Sequence, residues 1–461
     1  MGGVVTLTAV ADLRSTFTGW DDTECSGVGP CVLTMDTAKS VTATFMSYVT
    51  YLPVVMKGYP PTPVIVDPLY VAPDGNDDNA GTLDAPFASL DKALSVVVAG
   101  QTIYMRGGVY SPTQTISLTQ RGNDVNMYKI WAYPDEVPVL DFSGSPAGAR
   151  GFLVTGAYWH LKELEIQYAQ DNAIKIDGSH NIIENCILHH NQDSGLQIGL
   201  GSSSVNPNGS MASYNQVINC DSYRNFDQAT NGSNADGFAC KLHAGKGNSF
   251  TGCRAWENAD DGWDLFDTDY PVTIDSSWTW HNGDKALFGD PATWGGNGNG
   301  FKVGGNYDNA PHVLKNCIAF DNAYESGKGF DENHNMSGIT IYNSVGWGNL
   351  VNFSFNETPD DGSHHLLRNN VSFNPVTADT ALAADTIHDH NSWNLSVTAT
   401  ITDFLSLDET LAKAARQADG SLPDNDFARL ASDSDLIDVG IDVDLPYCGS
   451  APDLGAFEHC P

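Results

Sequence analysis

Positive charge is scarce in this chain. Its 461 residues carry 22 Lys and Arg against 57 Asp and Glu, a formal charge of −35. Such a balance argues against nucleic acid or an anionic membrane surface as a partner. It also means that a polyanionic substrate would have to be met through cations. No run of about 18 apolar residues is present, so no membrane-spanning helix is expected. A basic start followed by an apolar core is missing too: Met1-Gly-Gly leads straight into "VVTLTAV". The chain therefore reads as an excised or truncated secreted protein, expected to be monomeric. Charged residues make up only 17% while glycine reaches 45 positions, which favours turns and strands over long helices. Of nine cysteines, Cys25 and Cys31 flank a Gly-Val-Gly-Pro turn, and Cys448 and Cys460 bracket the last turn. Both pairs read as local disulfides of an extracellular, oxidising compartment.

Residues 1–46 alternate apolar and polar positions ("VVTLTAV", "CVLTM", "SVTATF"), the pattern of short half-buried strands. The stretch "STFTGWDDTECSGVGPCVLTMDTAKSVTATF" resembles the back half of a small β-module of bacterial surface proteins, and is read as a partial copy used as spacer or adhesion element. Residues 47–68 ("YLPVVMKGYPPTPVIVDP" within them) are Pro-rich and predict an extended linker. The main domain spans 69–461. Near its start Ser89 is placed to cap a short amphipathic helix running through Val97, which would cover one open end of the domain.

Beyond this helix the chain repeats. "ENCILHHN", "INCDSYRN", "TGCRAWEN", "DSSWTWHN", "KNCIAFDN" and "YNSVGWGN" align without gaps. Small residues fill the third position (Cys186, Cys220, Cys253, Ser277, Cys317, Ser344). Asn fills the last (Asn191, Asn225, Asn258, Asn282, Asn322, Asn349). After a variable gap each is succeeded by a second motif: "GLQI", "GFAC", "GWDL", "GFKV", "GFDE" and "NFSF". Strand-length pieces recurring every few tens of residues, without a 3.6 period, make a β-solenoid. The fold class is accordingly all-β, a right-handed parallel β-helix with a short N-terminal capping helix, plus the small N-terminal β-module. Equivalent residues then stack at roughly 4.8 Å, the Asn column forming a side-chain ladder. The column cysteines are expected to be buried thiols, although stacking distance also lies within reach of a disulfide.

Aligned on the Gly of the second motif, the preceding residues are Ser194, Asp236, Asp261, Asn299 and Lys328, and those two after it are Gln197, Ala239, Asp264, Lys302 and Asp331. Asp236 and Asp261 should therefore occupy neighbouring rungs, with Asp264 close by and Asp260 at the turn before. Like charges at about 5 Å repel by on the order of 3 kcal/mol per pair at an effective dielectric near 20. A hard divalent cation relieves this, because Ca²⁺ takes oxygen ligands from carboxylates. No His or Cys shares the column, which disfavours zinc. The blander alternatives are aspartates that only bond turns and a purely structural ion. Lys302 takes the Asp264 column one coil on. It reads either as half of a surface ion pair or as a base beside a metal, suited to removing a proton α to a carboxylate.

The segments "NADGFACKLHAGKGNSFTGCRAWENADDGWDLFD", "GNGNGFKVGG" and "KGFDENHN" resemble the core motifs of polysaccharide lyase family nine, the parallel β-helix pectate and exopolygalacturonate lyases. The likeness runs over roughly 69–460. It implies Ca²⁺ held by Asp236, Asp260, Asp261 and Asp264, with Lys302 as base. It also implies β-elimination on polygalacturonate, an acidic plant cell-wall polysaccharide, giving 4,5-unsaturated products.

Between the Asn and Gly motifs the offset is 4 at 191–195 and 258–262, but 12 at 225–237 and 18 at 282–300. The two long loops should wall the site. Lys241, Arg254, Lys285 and Lys328 are candidate contacts for further uronates, and Trp294 is a candidate platform for a sugar ring. His243, His364 and His365 show no partner pattern. Rival readings are a lyase on another uronic-acid polymer, a β-helix glycoside hydrolase of the polygalacturonase type using paired acids, and a surface protein whose Ca²⁺ only staples coils.

Overall fold

The computed structural model describes residues 3–10, 15–21, 25, 27–47, 66–201, 211–307 and 310–460. Two compact units result, Met1–Pro60 and Pro61–Pro461. In the first, Gly3–Leu7 pairs antiparallel with Cys31–Met35, and Ser15–Asp21 with Thr42–Ser47. A disulfide joins Cys25 to Cys31 there, and a second joins Cys448 to Cys460 at the far end of the chain. Most of the expected linker, 48–65, lies outside the described residues.

The second unit is a parallel β-helix. Its wall has three parallel sheets. A long sheet of twelve strands runs from Leu69–Val71 to Ile387–Asp389. A middle sheet of ten runs from Gly108–Tyr110 to Val371–Phe373, and a site sheet of ten from Ile116–Leu118 to Ala378–Leu382. Each coil visits them in that order. The early coils before Glu165, whose sequence carries no clear copy of the motif, belong to the same three sheets.

The corners explain the repeat. Leaving the long sheet, Asn185, Asn219, Gly252, Ser276, Asn316 and Asn343 all take φ between 48° and 65°. This is the second position of the first motif, where Asn and Gly carry the least strain in the left-handed region. The third position turns inward: Cys186, Cys220, Cys253 and Cys317 are fully buried free thiols. Leaving the middle sheet, a second left-handed residue (His190, Arg224, Glu257, His281, Asp321) precedes the Asn column. Each Asn there donates through backbone N–H and side-chain amide to the Oδ1 of the next. The bonds run Asn191 to Asn225 to Asn258 to Asn282 to Asn322 to Asn349 at 2.8–3.3 Å. Buried backbone groups at that corner are thereby satisfied without water. A second ladder, Asn181 to Asn215 to Asn248, does the same where the chain enters the long sheet.

Inside, one column of the site sheet is aromatic: Phe238, Trp263, Phe301, Phe330 and Phe353 stack at centroid spacings of 4.7–5.1 Å. Outside, the middle sheet carries a second column: Tyr223, Trp256, Trp280, Phe320, Trp347 and Phe373 at 4.5–5.7 Å. The C-terminal segment covers it with Phe404, Ala412, Phe427, Leu430 and Leu454. The capping helix is Leu90–Leu94, shorter than expected, with Ser89 Oγ accepting from Lys92 N–H at 3.1 Å. Leu90, Ala93 and Val97 still enter the core.

Candidate active site

Parallel pairing fixes the outward column of the site sheet. In register, Lys175, Gln197, Ala239, Asp264, Lys302, Asp331 and Ser354 succeed one another. Their strand neighbours Leu196, Phe238, Trp263, Phe301 and Phe330 point into the core, as the two-residue alternation of a strand requires. The residues before each Gly form a second ladder. Asp236 N–H donates to Ser194 Oγ, Asp261 N–H to Asp236 Oδ1, Asn299 N–H to Asp261 Oδ1 and Lys328 N–H to Asn299 Oδ1, at 2.9–3.4 Å. A short polar side chain one rung away thus takes each backbone N–H, and aspartates at two of these rungs face each other.

Carboxylate oxygens of Asp236, Asp261 and Asp264 lie within 4.8 Å of one another. Asp260 is buried beside them but outside that trio, its Oδ1 held by Asn297 N–H at 2.7 Å. Two lysines share the cage. Lys302 Nζ is 3.1 Å from Asp261 Oδ2 and 3.3 Å from Asp264 Oδ1. Lys241 Nζ is 2.6 Å from Asp236 Oδ2 and 2.9 Å from Asp264 Oδ2. All six side chains are at least nine-tenths buried.

The electrostatics are those of an over-acidic pocket. Burial, opposed in part by Lys241, pushes the Asp236 carboxyl up to about 7. Burial together with Asp261 and Asp236 drives Asp260 well above the carboxylate range. Asp261 is also raised, by burial first. Asp264 alone falls, because Lys241 and Lys302 outweigh its burial. Burial favours neutral Lys302, yet Asp261, Asp264, Asp260 and Asp236 outweigh it and hold the ammonium protonated. A neutral Lys302 is therefore not a property of the bare cage; it requires the aspartate charge to be offset.

Asp261 Oδ2 is the observation that tests for a metal. It is buried and has no hydrogen-bond partner, with Lys302 Nζ as an ion-pair neighbour at 3.1 Å. With all four carboxyls ionised and both lysines charged, the sum is −4 + 2 = −2, the complement of one divalent ion. An all-oxygen carboxylate set in excess of the lysine charge, one oxygen of which accepts no hydrogen bond, fits a hard cation.

The family described as Pel9A-like, right-handed beta helix region, matches residues 69–370. The chain belongs to that family. This Pel9A-like chain is an enzyme of polysaccharide lyase family nine, and its β-helix is right-handed as expected. It is 40% identical over 403 residues to "Pectate lyase L" of Dickeya dadantii (strain 3937), covering 85% of this chain and 90% of the relative. Among solved structures, pectate lyase Pel9A superposes with a TM-score of 0.78 at 38% identity, over 86% of this chain and 97% of that one. A rhamnogalacturonan lyase gives 0.69 at 27% identity, over 80% and 97%.

The Pel9A-like scaffold assigns the remaining candidates to different places. Lys241, read from sequence as a substrate contact, instead closes the cage from within, 7% exposed. Arg254, read the same way, lies on the middle sheet. Its guanidinium is engaged by Asp221 Oδ1 and Oδ2 at 2.8 and 2.6 Å and by the carbonyls of Ala412 and Ala414. It ties down the C-terminal segment and cannot reach a substrate in the groove. Lys285 begins a short 3-10 turn in the second long loop, exposed, 3.5 Å from Asp290. Trp294 packs with Phe226 and Phe288 at 6.0 and 5.8 Å, stapling the two long loops together. Lys328 sits one coil beyond Lys302 with Nζ 3.0 Å from both oxygens of Asp331. His243 and His364 face Asp269 and Asp385, and His365 is buried.

Three cage neighbours escaped the sequence reading. Ser194 Oγ donates to Asp236 Oδ2 at 2.8 Å, and Asn299 Nδ2 to Asp261 Oδ1 at 2.9 Å. Both already stood in the column before Gly, which was the available signal. Phe266, with its ring centroid 5.8 Å from Lys302 Nζ, had none. Its packing depends on Gly305, where a Cβ would fall 2.1 Å from the ring at φ 153°.

Proposed function

We propose that this chain is a secreted, calcium-dependent pectate lyase that cleaves polygalacturonate by β-elimination. One observation carries the reading: a buried cage of four aspartates against two lysines, with Lys302 on its edge in register with Asp264. Asp236, Asp260, Asp261 and Asp264 would hold Ca²⁺. When bound, the ion supplies charge for the uronate carboxylate and acidifies the adjacent C5–H. Lys302 then takes the C5 proton. The electrons of that C–H bond form the C4=C5 double bond as the C4–O bond breaks, and the leaving oxygen takes a proton from solvent. Lys302 serves as base only in its neutral form, so loading the cage and raising the pH both favour the reaction. Phe266 keeps one side of the amine dry. The two disulfides are consistent with the extracellular compartment in which such a polymer is met.

A second substrate reading draws on the rhamnogalacturonan lyase likeness: the same elimination on a backbone that alternates uronate with another sugar. Incubation with polygalacturonate and with rhamnogalacturonan, each with and without a chelator, separates the two. Calcium-dependent ultraviolet absorbance from polygalacturonate is expected. Absorbance from rhamnogalacturonan alone would move the assignment to the second reading, and reducing ends without absorbance would point to hydrolysis.

A further inference from the structure

Lys241 is the one member of the cage to which the proposed reaction gives no task. Its backbone is fixed, with the N–H donating to Ile198 O at 2.9 Å at the end of the strand Phe238–Cys240. Its side chain faces the same way as Ala239, two residues earlier. Ala239 is fully buried in its column, and the lysine two residues on turns its amine back to Asp236. The amine is shared between Asp236 Oδ2 and Asp264 Oδ2 and is 7% exposed. That is the environment of a fixed internal charge. Its contacts of 2.6 and 2.9 Å are also tighter than the 3.1 and 3.3 Å that Lys302 makes to the same cage.

Resting on the reading of the cage as a cation site, we propose that Lys241 is its resident counter-charge. It is a positioning residue that bridges two ligands and, with the four carboxyls ionised and Lys302 still protonated as the ion enters, sets the cage at −2, matched to a dication. Removing it leaves four carboxylates against Lys302 alone, −4 + 1 = −3, a charge matched to a trication. The extra unit of negative charge acts more strongly on a trivalent than on a divalent ion of similar radius, because the attraction scales with ion charge.

The test is calorimetric titration of the full chain with Ca²⁺ and with Tb³⁺. Wild type is expected to bind Ca²⁺ at one site; no binding there would overturn the cation-site reading itself. In Lys241→Met the ratio of Tb³⁺ to Ca²⁺ affinity is expected to rise by about tenfold or more, while Lys241→Arg keeps the wild-type ratio. The metal-free Lys241→Met protein should melt lower, and Ca²⁺ should raise its melting temperature by more than it raises wild type's. A lysine that only packs would lower both melting curves and leave the ratio unchanged, which would overturn the proposal with the cation site intact. Should Lys241→Met fail to fold, its combination with Asp236→Asn restores −2. That pair is expected to fold with the wild-type ratio, and an elevated ratio there counts against the assignment.

Discussion

Single residues of this molecule can be separated by task. Lys302→Met should abolish eliminative activity by about 10²–10⁴-fold while leaving Ca²⁺ binding measurable by titration; equal loss of both would mean that the lysine only holds the cage. Glu332 is a second such residue, far from obvious in sequence. It comes directly after Asp331 in a strand where Phe330 points inward, and the inward column reads Val303, then Glu332, then Phe355. Only 2% exposed, it has one oxygen bonded to Glu357 N–H and the other without a partner. Burial first, then Asp331, pushes its carboxyl from 4.5 to about 8. An acid whose folded pKa is raised gives its full stability below the unfolded value and loses it as pH climbs toward the folded one. Between pH 4.5 and about 8 the native state is therefore progressively destabilised. Glu332→Gln is expected to raise the melting temperature at pH 8 or above and to change it little near pH 4. A uniform shift across that range would show that the effect is packing.

At the scale of elements, the C-terminal segment depends on a buried triad. Asp221 accepts from Arg254 at 2.6 and 2.8 Å and from Arg416 at 2.6 Å, and Arg416 also reaches the carbonyls of Cys220 and Gly252. Asp221→Ala leaves the buried Arg254 and the half-buried Arg416 without their counter-charge and should cost about 3–5 kcal/mol in urea unfolding. It should also expose part of the aromatic column under the segment, which dye binding would report. Asn258→Ala interrupts the ladder between Asn225 and Asn282, two residues from Asp260. A loss of about 1–3 kcal/mol is expected from the unsatisfied neighbours, together with weaker Ca²⁺ binding than in a control such as Asn349→Ala at the far end of the ladder. The coils were legible in sequence because stacking forces like residues into like positions, so the Asn, Cys and Gly columns line up by inspection. The earliest coils were not, since they use Ile, Leu and Val at inward positions without a polar ladder to mark the corners. Arg254 misled for a related reason. Its rung was clear, but which sheet faces the groove is set by where the tail folds back, and the repeat does not encode that.

For the whole molecule, cage and fold are linked by mass action. Ca²⁺ at 100 times its dissociation constant should stabilise the native state by about 2.7 kcal/mol, read as a rise in melting temperature that a chelator reverses. The aspartate cluster and Lys302 were visible from the sequence because their columns track the strand register. The part played by Lys241 was not, because a lysine that bends back along its own strand leaves its column.

The corner between the Asn ladder and the next Gly has one further consequence. Offsets of 4, 12 and 18 residues all leave the same ladder bonds in place on either side. Insertions at that corner are thus taken up in the loops and leave unchanged the strand register that assembles the aspartate cage. Transplanting the segments 226–233 and 283–295 from a relative of different appetite, with Asn234, Ala235 and Asn297 kept for their bonds to Ser194 and Asp260, is then a way to retune which polymer is gripped while the chemistry beneath is carried along.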